Sequence, residues 1–412
     1  MEHGYYLAES RRTARLTRMS ERADRAQEQA PAAGQGADSA ISSPFTLPKG
    51  LPETPKGSAW HALVAQFLFH TGLIRASESL SRRVWWRRDA DAPGLRLQRV
   101  TEPRFAILCY HRIGTAGVPL HSALPRQVFE SQMAYLRKHY RLISMEKLLT
   151  EAAEPRNNEP AVAVTFDDGY ADLYREAFPV LREYSIPATI YLIVGSTQSG
   201  EVPWYDRIFV AFQATTVSQL RNELDLPATV PLDSPRQRLV AAARYILCIR
   251  ELPDAERRMR CERLERLLPT RSSVLVNRML NWGQIREMQS AGISFGSHSM
   301  AHPVLSRLSA ADLVTELRDS RQILQNELQR PILDFAYPFG TPDSFNRETR
   351  DQLGAFGYRS AVTSFEGVNT PTTNRFSLQR VTYCECASLP IFVARLSRLF
   401  LVAHEKSPAN AA

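Results

Sequence analysis

The stretch Ala161-Val162-Ala163-Val164-Thr165-Phe166-Asp167-Asp168-Gly169 decides how this chain is to be read. Six uncharged residues run straight into two adjacent carboxylates and a glycine. A short unbroken apolar run is the pattern of a strand buried on both faces, as in a parallel sheet, and the glycine marks a turn directly behind it. One aspartate there would read as an Asx-turn or a helix N-cap. Two repel each other, and their pKa values are pushed apart unless a cation neutralises one and leaves the other as a base. Such a cation needs further ligands.

Similar apolar runs recur on either side, at residues 105–110, 188–194, 293–296, 332–336 and 360–363. Between them lie patterns of helical period at 127–140, 145–152, 173–184, 282–291 and 310–329. This alternation predicts an α/β fold of parallel strands joined by helices, with its chemistry at the strand ends. Behind the 293–296 run stands Gly296-Ser297-His298-Ser299-Met300-Ala301-His302-Pro303. The two histidines are spaced so that one metal ion can take both imidazoles, and with an aspartate from a neighbouring strand end they leave positions open for water and substrate. A third strand end, Phe335-Ala336-Tyr337-Pro338-Phe339-Gly340, supplies a turn and an aromatic wall, with Tyr337, Pro338 and Phe339 expected on the substrate side.

Taken in this order, TFDDG, HSMAHP and YPFG resemble the polysaccharide deacetylase family, the NodB homology domain of carbohydrate esterase family 4. The resemblance covers roughly residues 105 to 383. It implies a distorted (β/α)7-type barrel and metal-dependent hydrolysis of N-acetyl groups on amino sugars, in a glycan or a lipid-linked glycan. Residue by residue it implies Asp168, His298 and His302 as ligands of a divalent metal, zinc suiting the donors, and Asp167 as general base. It implies Ser299 as a buttress of the metal loop and the Phe339 N–H as an oxyanion donor. Ala336 stands where the family often has a base-orienting arginine, and Arg380 is the replacement the sequence offers. No Leu-x-His follows the third motif. In a closed barrel the last strand lies beside the first, so the acid-bearing strand can precede TFDDG and keep its place. Leu108-Cys109-Tyr110-His111 fits that permutation, which resembles the exopolysaccharide-modifying branch and implies His111 as general acid. The alternative is a catalytically inactive glycan-binding or scaffold protein on the same fold.

The rest of the 412 residues divides by composition. Residues 1–57 are poor in β-branched and aromatic types and read as a disordered tail. Residues 58–100 read as a helical lead-in ending in Trp85-Trp86 among arginines, with a peripheral membrane contact as its second reading. From 101 to 390 runs the main domain, interrupted at about 205–280 by a helical, arginine-rich insertion whose arginines are expected on a solvated face. A C-terminal helix and tail follow from 391. Five cysteines form no disulfide framework or CxxC pair, and no secretory signal or spanning segment stands out, so a cytoplasmic location is expected. The net charge of +8 is too small to name a partner, and no recognised motif points to nucleic acid.

Overall fold

The computed structural model describes residues 85–88, 95–98, 104–114, 123–151, 160–221, 224, 229–268, 278–382, 384 and 388–401. The tail and the first part of the lead-in, residues 58–84, lie outside the described residues. The first half runs β1 (Trp85–Arg88), β2 (Leu95–Gln98), β3 (Phe105–Tyr110), α1 (Arg126–His139), β4 (Arg141–Leu142), α2 (Met145–Glu151) and β5 (Ala161–Phe166). A π-turn, Leu173–Ala177, leads into α3 (Phe178–Glu183), then β6 (Ala188–Leu192) and α4 (Val194–Ser199). Next come α5 (Trp204–Ala214), β7 (Gln219–Arg221), β8 (Thr229–Pro231), α6 (Pro235–Ile249) and α7 (Asp254–Leu267). The chain continues through α8 (Trp282–Ser290), β9 (Ser294–Ser297) and α9, which joins Ala310–Val314 through the π-turn Thr315–Asp319 to Ser320–Leu328. It ends with β10 (Asp334–Ala336), α10 (Arg347–Ala355), β11 (Ser360–Glu366), β12 (Leu378–Arg380) and α11 (Leu389–Leu401).

Seven parallel strands lie in the order β12-β11-β10-β9-β6-β5-β3, with β4 beside the start of β5. The ring is brought round where Cys109 N donates to Val381 O (2.9 Å) and Val381 N to Ile107 O (2.8 Å). This is the distorted barrel, and β3 and β5 are paired along their whole length, Phe105 with Ala161 through Tyr110 with Phe166. Alternate residues face opposite ways. On β3, Phe105 and Ile107 fill the barrel interior with Tyr191, Val362 and Leu378. Ala106, Leu108 and Tyr110 face outward, where Phe129, Met133 and Leu136 of α1 cover them. Each large apolar side chain buried there contributes about 1.5–3 kcal/mol.

The insertion is α5, the β7–β8 ribbon, α6 and α7, with a core of its own that includes Ile208, Phe212, Tyr245 and Leu264. A capping box opens α6: Gln237 N donates to Ser234 Oγ, and Gln237 Oε1 accepts from Ser234 N. Two expectations need correction. Residues 58–100 are not helical throughout, since β1 and β2 pair antiparallel; Leu95-Arg96-Leu97-Gln98 alternates with period two behind the breaker Pro93-Gly94. The insertion's arginines are not all solvated either. Arg257 is 2% exposed, paired with Asp254 and set over the Trp204 ring, and Arg238 donates to the Leu232 and Gln213 carbonyls. At the other end α11 belongs to the barrel's outer layer through Phe392, Val393 and Leu396. The described cysteines form no disulfide, and no helix of the described residues is long and apolar enough to cross a membrane.

Candidate active site

Strand phase brings His111, Asp167 and Arg380 together. Cys109 and His111 continue the inward set of β3, Thr165 and Asp167 continue Ala161 and Ala163 of β5, and Arg380 stands two residues past the inward Leu378. Arg380 Nη1 and Nη2 donate to the two oxygens of Asp167 at 2.8 and 2.7 Å, while Arg380 Nε donates to Thr363 O at 2.7 Å. The Cys109 thiol donates to Asp167 Oδ2 at 3.7 Å. Burial opposes the charge on Asp167, but Arg380 and then His298 outweigh it and hold the carboxyl well below the usual carboxylate range.

Its neighbour Asp168 is turned elsewhere by the backbone. Gly169 N donates to Asp167 O at 2.8 Å, closing the turn at a glycine φ of 84°. A side chain at this φ is strained, and a Cβ on Gly169 would stand 2.5 Å from Leu192 Cδ2 and push that side chain aside, so glycine is favoured here. Asp168 itself has φ 69°, and Ser299, His302 and Phe339 have φ 65°, 55° and 61°. These are four of the six described non-glycine residues in the left-handed region. Each such residue costs on the order of 1–3 kcal/mol, and such strain concentrates at functional sites.

Asp168 Oδ1 lies 3.6 Å from His298 Nε2 and 4.0 Å from His302 Nε2, and the three donors fall within 4.8 Å of one another. His298 Nδ1 is 2.8 Å from the Ala336 carbonyl, which can only accept, so that nitrogen carries the proton and Nε2 presents its lone pair to Asp168. A second carboxylate oxygen, Asp167 Oδ2, lies 3.9 Å from the same Nε2. Acceptors face acceptors here: burial pushes His298 down to about 4 against the pull of Asp167, so its imidazole is neutral and an ionised Asp168 meets its lone pair. Burial likewise pushes Asp168 up to about 7, with Asp167 adding to it and His111 opposing. A divalent cation would reconcile all three groups: Asp168 Oδ1 stands 3.6 and 4.0 Å from the two imidazole nitrogens, against roughly 3.3 Å between tetrahedral zinc ligands at about 2.0–2.1 Å. Cys109, His111 and Asp167 form a second cluster of donors within 4.8 Å. A dication there would meet the Arg380 guanidinium that already holds both oxygens of Asp167.

The loop carrying the histidines is tied from several sides. His302 N donates to Ser299 Oγ (3.0 Å) and Ser299 N to Ser297 Oγ (3.1 Å). Met300 N and Ala301 N both donate to Glu316 Oε2, at 2.8 and 3.0 Å. Glu316 is buried on the π-turn of α9. Burial raises its carboxyl while those backbone donors lower it. Phe339 packs edge-on against His302 at 4.8 Å, and its N–H makes no hydrogen bond among the described residues. Pro338 O accepts from Gly340 N at 2.7 Å and fixes that turn. Tyr337 does not form the expected wall: its ring is buried, stacked 3.9 Å from Phe345, and its hydroxyl donates to Phe376 O. The reason is phase, since Tyr337 N extends the β10–β11 ladder to Val362 O and turns the side chain outward.

Sequence reasoning passed over Glu316, Cys109 and the start of the insertion. Trp204 Nε1 donates to His302 O at 3.2 Å, and the Tyr205 ring meets His302 at 5.1 Å. The available signal was strand phase for Cys109. For Trp204 and Tyr205 there was none, because residues 200 to 205 mark a boundary in pattern.

A seven-stranded parallel barrel with one carboxylate and two imidazoles at its strand ends, beside an acid clamped by arginine, has the layout of a metal-assisted hydrolase. The chain belongs to the polysaccharide deacetylase family, whose model matches residues 154–361, half of its length. It is 23% identical over 282 residues to YxkH of Bacillus subtilis (strain 168), whose name places it among polysaccharide deacetylases, covering 68% of this chain and 71% of that one. A poly-beta-1,6-N-acetyl-D-glucosamine N-deacetylase of Staphylococcus aureus is 32% identical over 68 residues, 16% of this chain and 23% of that protein. Among solved structures, deacetylase PplD of Streptococcus pyogenes is 21% identical with a TM-score of 0.49, covering 72% of this chain and 98% of that one.

Proposed function

We propose that the chain is a divalent-cation-dependent N-deacetylase acting on acetamido groups of amino sugars in a glycan or a lipid-linked glycan. The observation that carries this is the division of labour between adjacent acids: Asp167 gives both oxygens to Arg380, while Asp168 turns to the Nε2 atoms of His298 and His302. Asp168, His298 and His302 would hold the cation. When bound, it polarises the acetyl carbonyl and lowers the pKa of water. Zinc suits two nitrogens and a carboxylate, as do other first-row metals.

Asp167, kept ionised by Arg380, takes the proton of the attacking water. Arg380 keeps the base from rotating through its bidentate grip. The Phe339 N–H donates to the oxygen that gains charge as the carbonyl becomes tetrahedral. His111, whose ring nitrogen clusters with the Asp167 carboxylate, donates a proton to the amine as the carbon–nitrogen bond breaks. Products are acetate and a free amino sugar. The 68-residue similarity to an enzyme named for poly-N-acetylglucosamine supports a β-linked N-acetylglucosamine polymer as the first substrate to try. The test is acetate release by the purified, zinc-loaded protein from N-acetylglucosamine oligomers and lipid-linked amino sugars, with metal content measured on the same sample. Glycan binding without acetate release would favour the inactive scaffold instead.

A further inference from the structure

The insertion reaches the candidate site a second time, where α6 ends. Arg250, the residue behind that helix, donates from Nη2 to Asp343 Oδ2 at 3.1 Å and from Nε to Glu251 Oε1 at 2.7 Å. Its guanidinium carbon stands 5.5 Å from the centroid of the Phe339 ring, within reach of a cation–π contact. One side chain of the insertion therefore grips the turn behind β10 twice, by the ring of Phe339 and by the carboxylate of Asp343. Glu251 carries the tie onward by accepting from Arg307 Nε at 3.2 Å, and Ser306 Oγ donates to the Asp343 carbonyl. Ser306 and Arg307 lie just beyond the histidine loop.

Phe339 needs such a grip. Its φ of 61° is one that a residue with a side chain keeps only when its surroundings hold it there. β11 holds the backbone: Ser364 Oγ donates to Phe339 O at 2.8 Å and Ser364 N to Gly340 O at 3.0 Å, and a Cβ on Gly340 would stand 2.5 Å from Ser364 N. Both bonds fix carbonyls and leave the ring to its own contacts, which are the His302 imidazole, edge-on at 4.8 Å, and the Arg250 guanidinium. We propose that Arg250 is a positioning residue for the oxyanion donor: by holding the Phe339 ring and Asp343 it fixes the direction of the Phe339 N–H, so that the insertion completes a turn the barrel only begins. This rests on the deacetylase reading given above. A donor stabilises the developing charge only from the right place. The Arg250 and Asp343 side chains are 24% and 54% exposed, so each contact contributes a few-fold to the setting of the turn and little to the stability of the fold.

The test compares the zinc-loaded full chain of wild type, Arg250→Met, Arg250→Lys and Arg286→Met for kcat and KM on N-acetylglucosamine oligomers and on an aryl acetate. Amide hydrogen exchange over residues 338–345 is followed in the metal-free proteins. Arg250→Met is expected to lower kcat about tenfold on both substrates, less than the roughly 10²–10³ of an oxyanion donor lost outright. KM should stay unchanged, and exchange in the turn should quicken by about tenfold. Amide and ester share the oxyanion, so a loss on both separates this role from that of His111. Arg250→Lys keeps a cation and is expected to fall between wild type and Arg250→Met. Arg286, paired with Glu327 at 3.2 Å on α8, is the control, and Arg286→Met is expected to match wild type. An unchanged kcat in Arg250→Met overturns the inference, as does unchanged exchange in the turn, an equal loss in Arg286→Met, or a rise in KM alone, which would mark a substrate contact. If wild type releases acetate from neither substrate, the deacetylase reading falls and this inference with it. Wild-type turnover with no loss in Arg250→Met overturns the inference alone.

Discussion

The two sides of the barrel rim are held together by different means. On one side Asp168, His298 and His302 come from two loops in which Asp168 and His302 take left-handed backbone, with His302 N bonded to Ser299 Oγ three residues away and His298 Nδ1 to the Ala336 carbonyl. On the other, His111, Asp167 and Arg380 come from three strand ends, and the bidentate pair joins residues 213 positions apart. The first side spends backbone strain to aim its donors. The second depends on β12 meeting β3, so its geometry is only as good as that seam. Cation binding and proton transfer should therefore fail independently.

The largest effect expected is on the donor side. Asp168→Ala, His298→Ala and His302→Ala should each lose bound metal and activity together, and a variant that keeps stoichiometric metal would remove its residue from the ligand set. Next comes the base: Asp167→Asn should keep its metal and lose about 10²–10⁴-fold in turnover, because an amide cannot accept the water's proton. Near wild-type acetate release from this variant would end the assignment. His111→Ala should also retain metal and lose about a hundredfold or more on N-acetyl substrates. The deficit should shrink on an aryl acetate, whose leaving group departs without protonation. Equal losses on amide and ester would make His111 structural.

A smaller, graded effect separates the seam from the donors. Arg380→Met leaves burial on Asp167 without its largest counterweight. The acid limb of kcat/KM should move up by about 1–3 pH units, with metal content unchanged, and an unmoved limb would show that Arg380 does not tune the base. The smallest effect is thermodynamic. In metal-free protein Asp168 is pushed from 3.8 to about 7 by burial. A folded-state pKa raised above the unfolded one gives stability that is fully present below the unfolded value and is lost as pH rises through the folded value. Asp168→Asn does not titrate. Its stability advantage over chelated wild type should therefore grow between about pH 4 and pH 7 and vanish when zinc is added, as thermal melts across that window would show.

Much of the barrel was legible because its signal is local. Ala161–Phe166 and Phe105–Tyr110 are apolar runs whose ends coincide with the strands. The short β12, with Gln379 and Arg380 in it, gave no such signal, because a three-residue strand with polar members cannot be told from a loop. The donor motifs were legible for the same reason: aspartates and histidines at strand ends carry their meaning in sequence spacing. Tyr337 was misplaced because a motif does not reveal which way its first residue faces, and one residue of register decides that.

The sequence by itself determined an α/β alternation of strands and helices, the two carboxylates behind one strand and the two histidines behind another, since period and spacing are properties of contiguous residues; the barrel came from what the motifs resemble. Only the tertiary structure decided which aspartate serves which partner. A left-handed φ at Asp168 turns one carboxylate toward the histidines, and the closing of β12 on β3 delivers Arg380 to the other. It also decided that the insertion belongs to the site, because a helix packed across the rim brings Trp204 and Tyr205 against His302 although 98 and 97 residues separate them in the chain. Contacts of that span follow from how elements pack, and no local pattern encodes them.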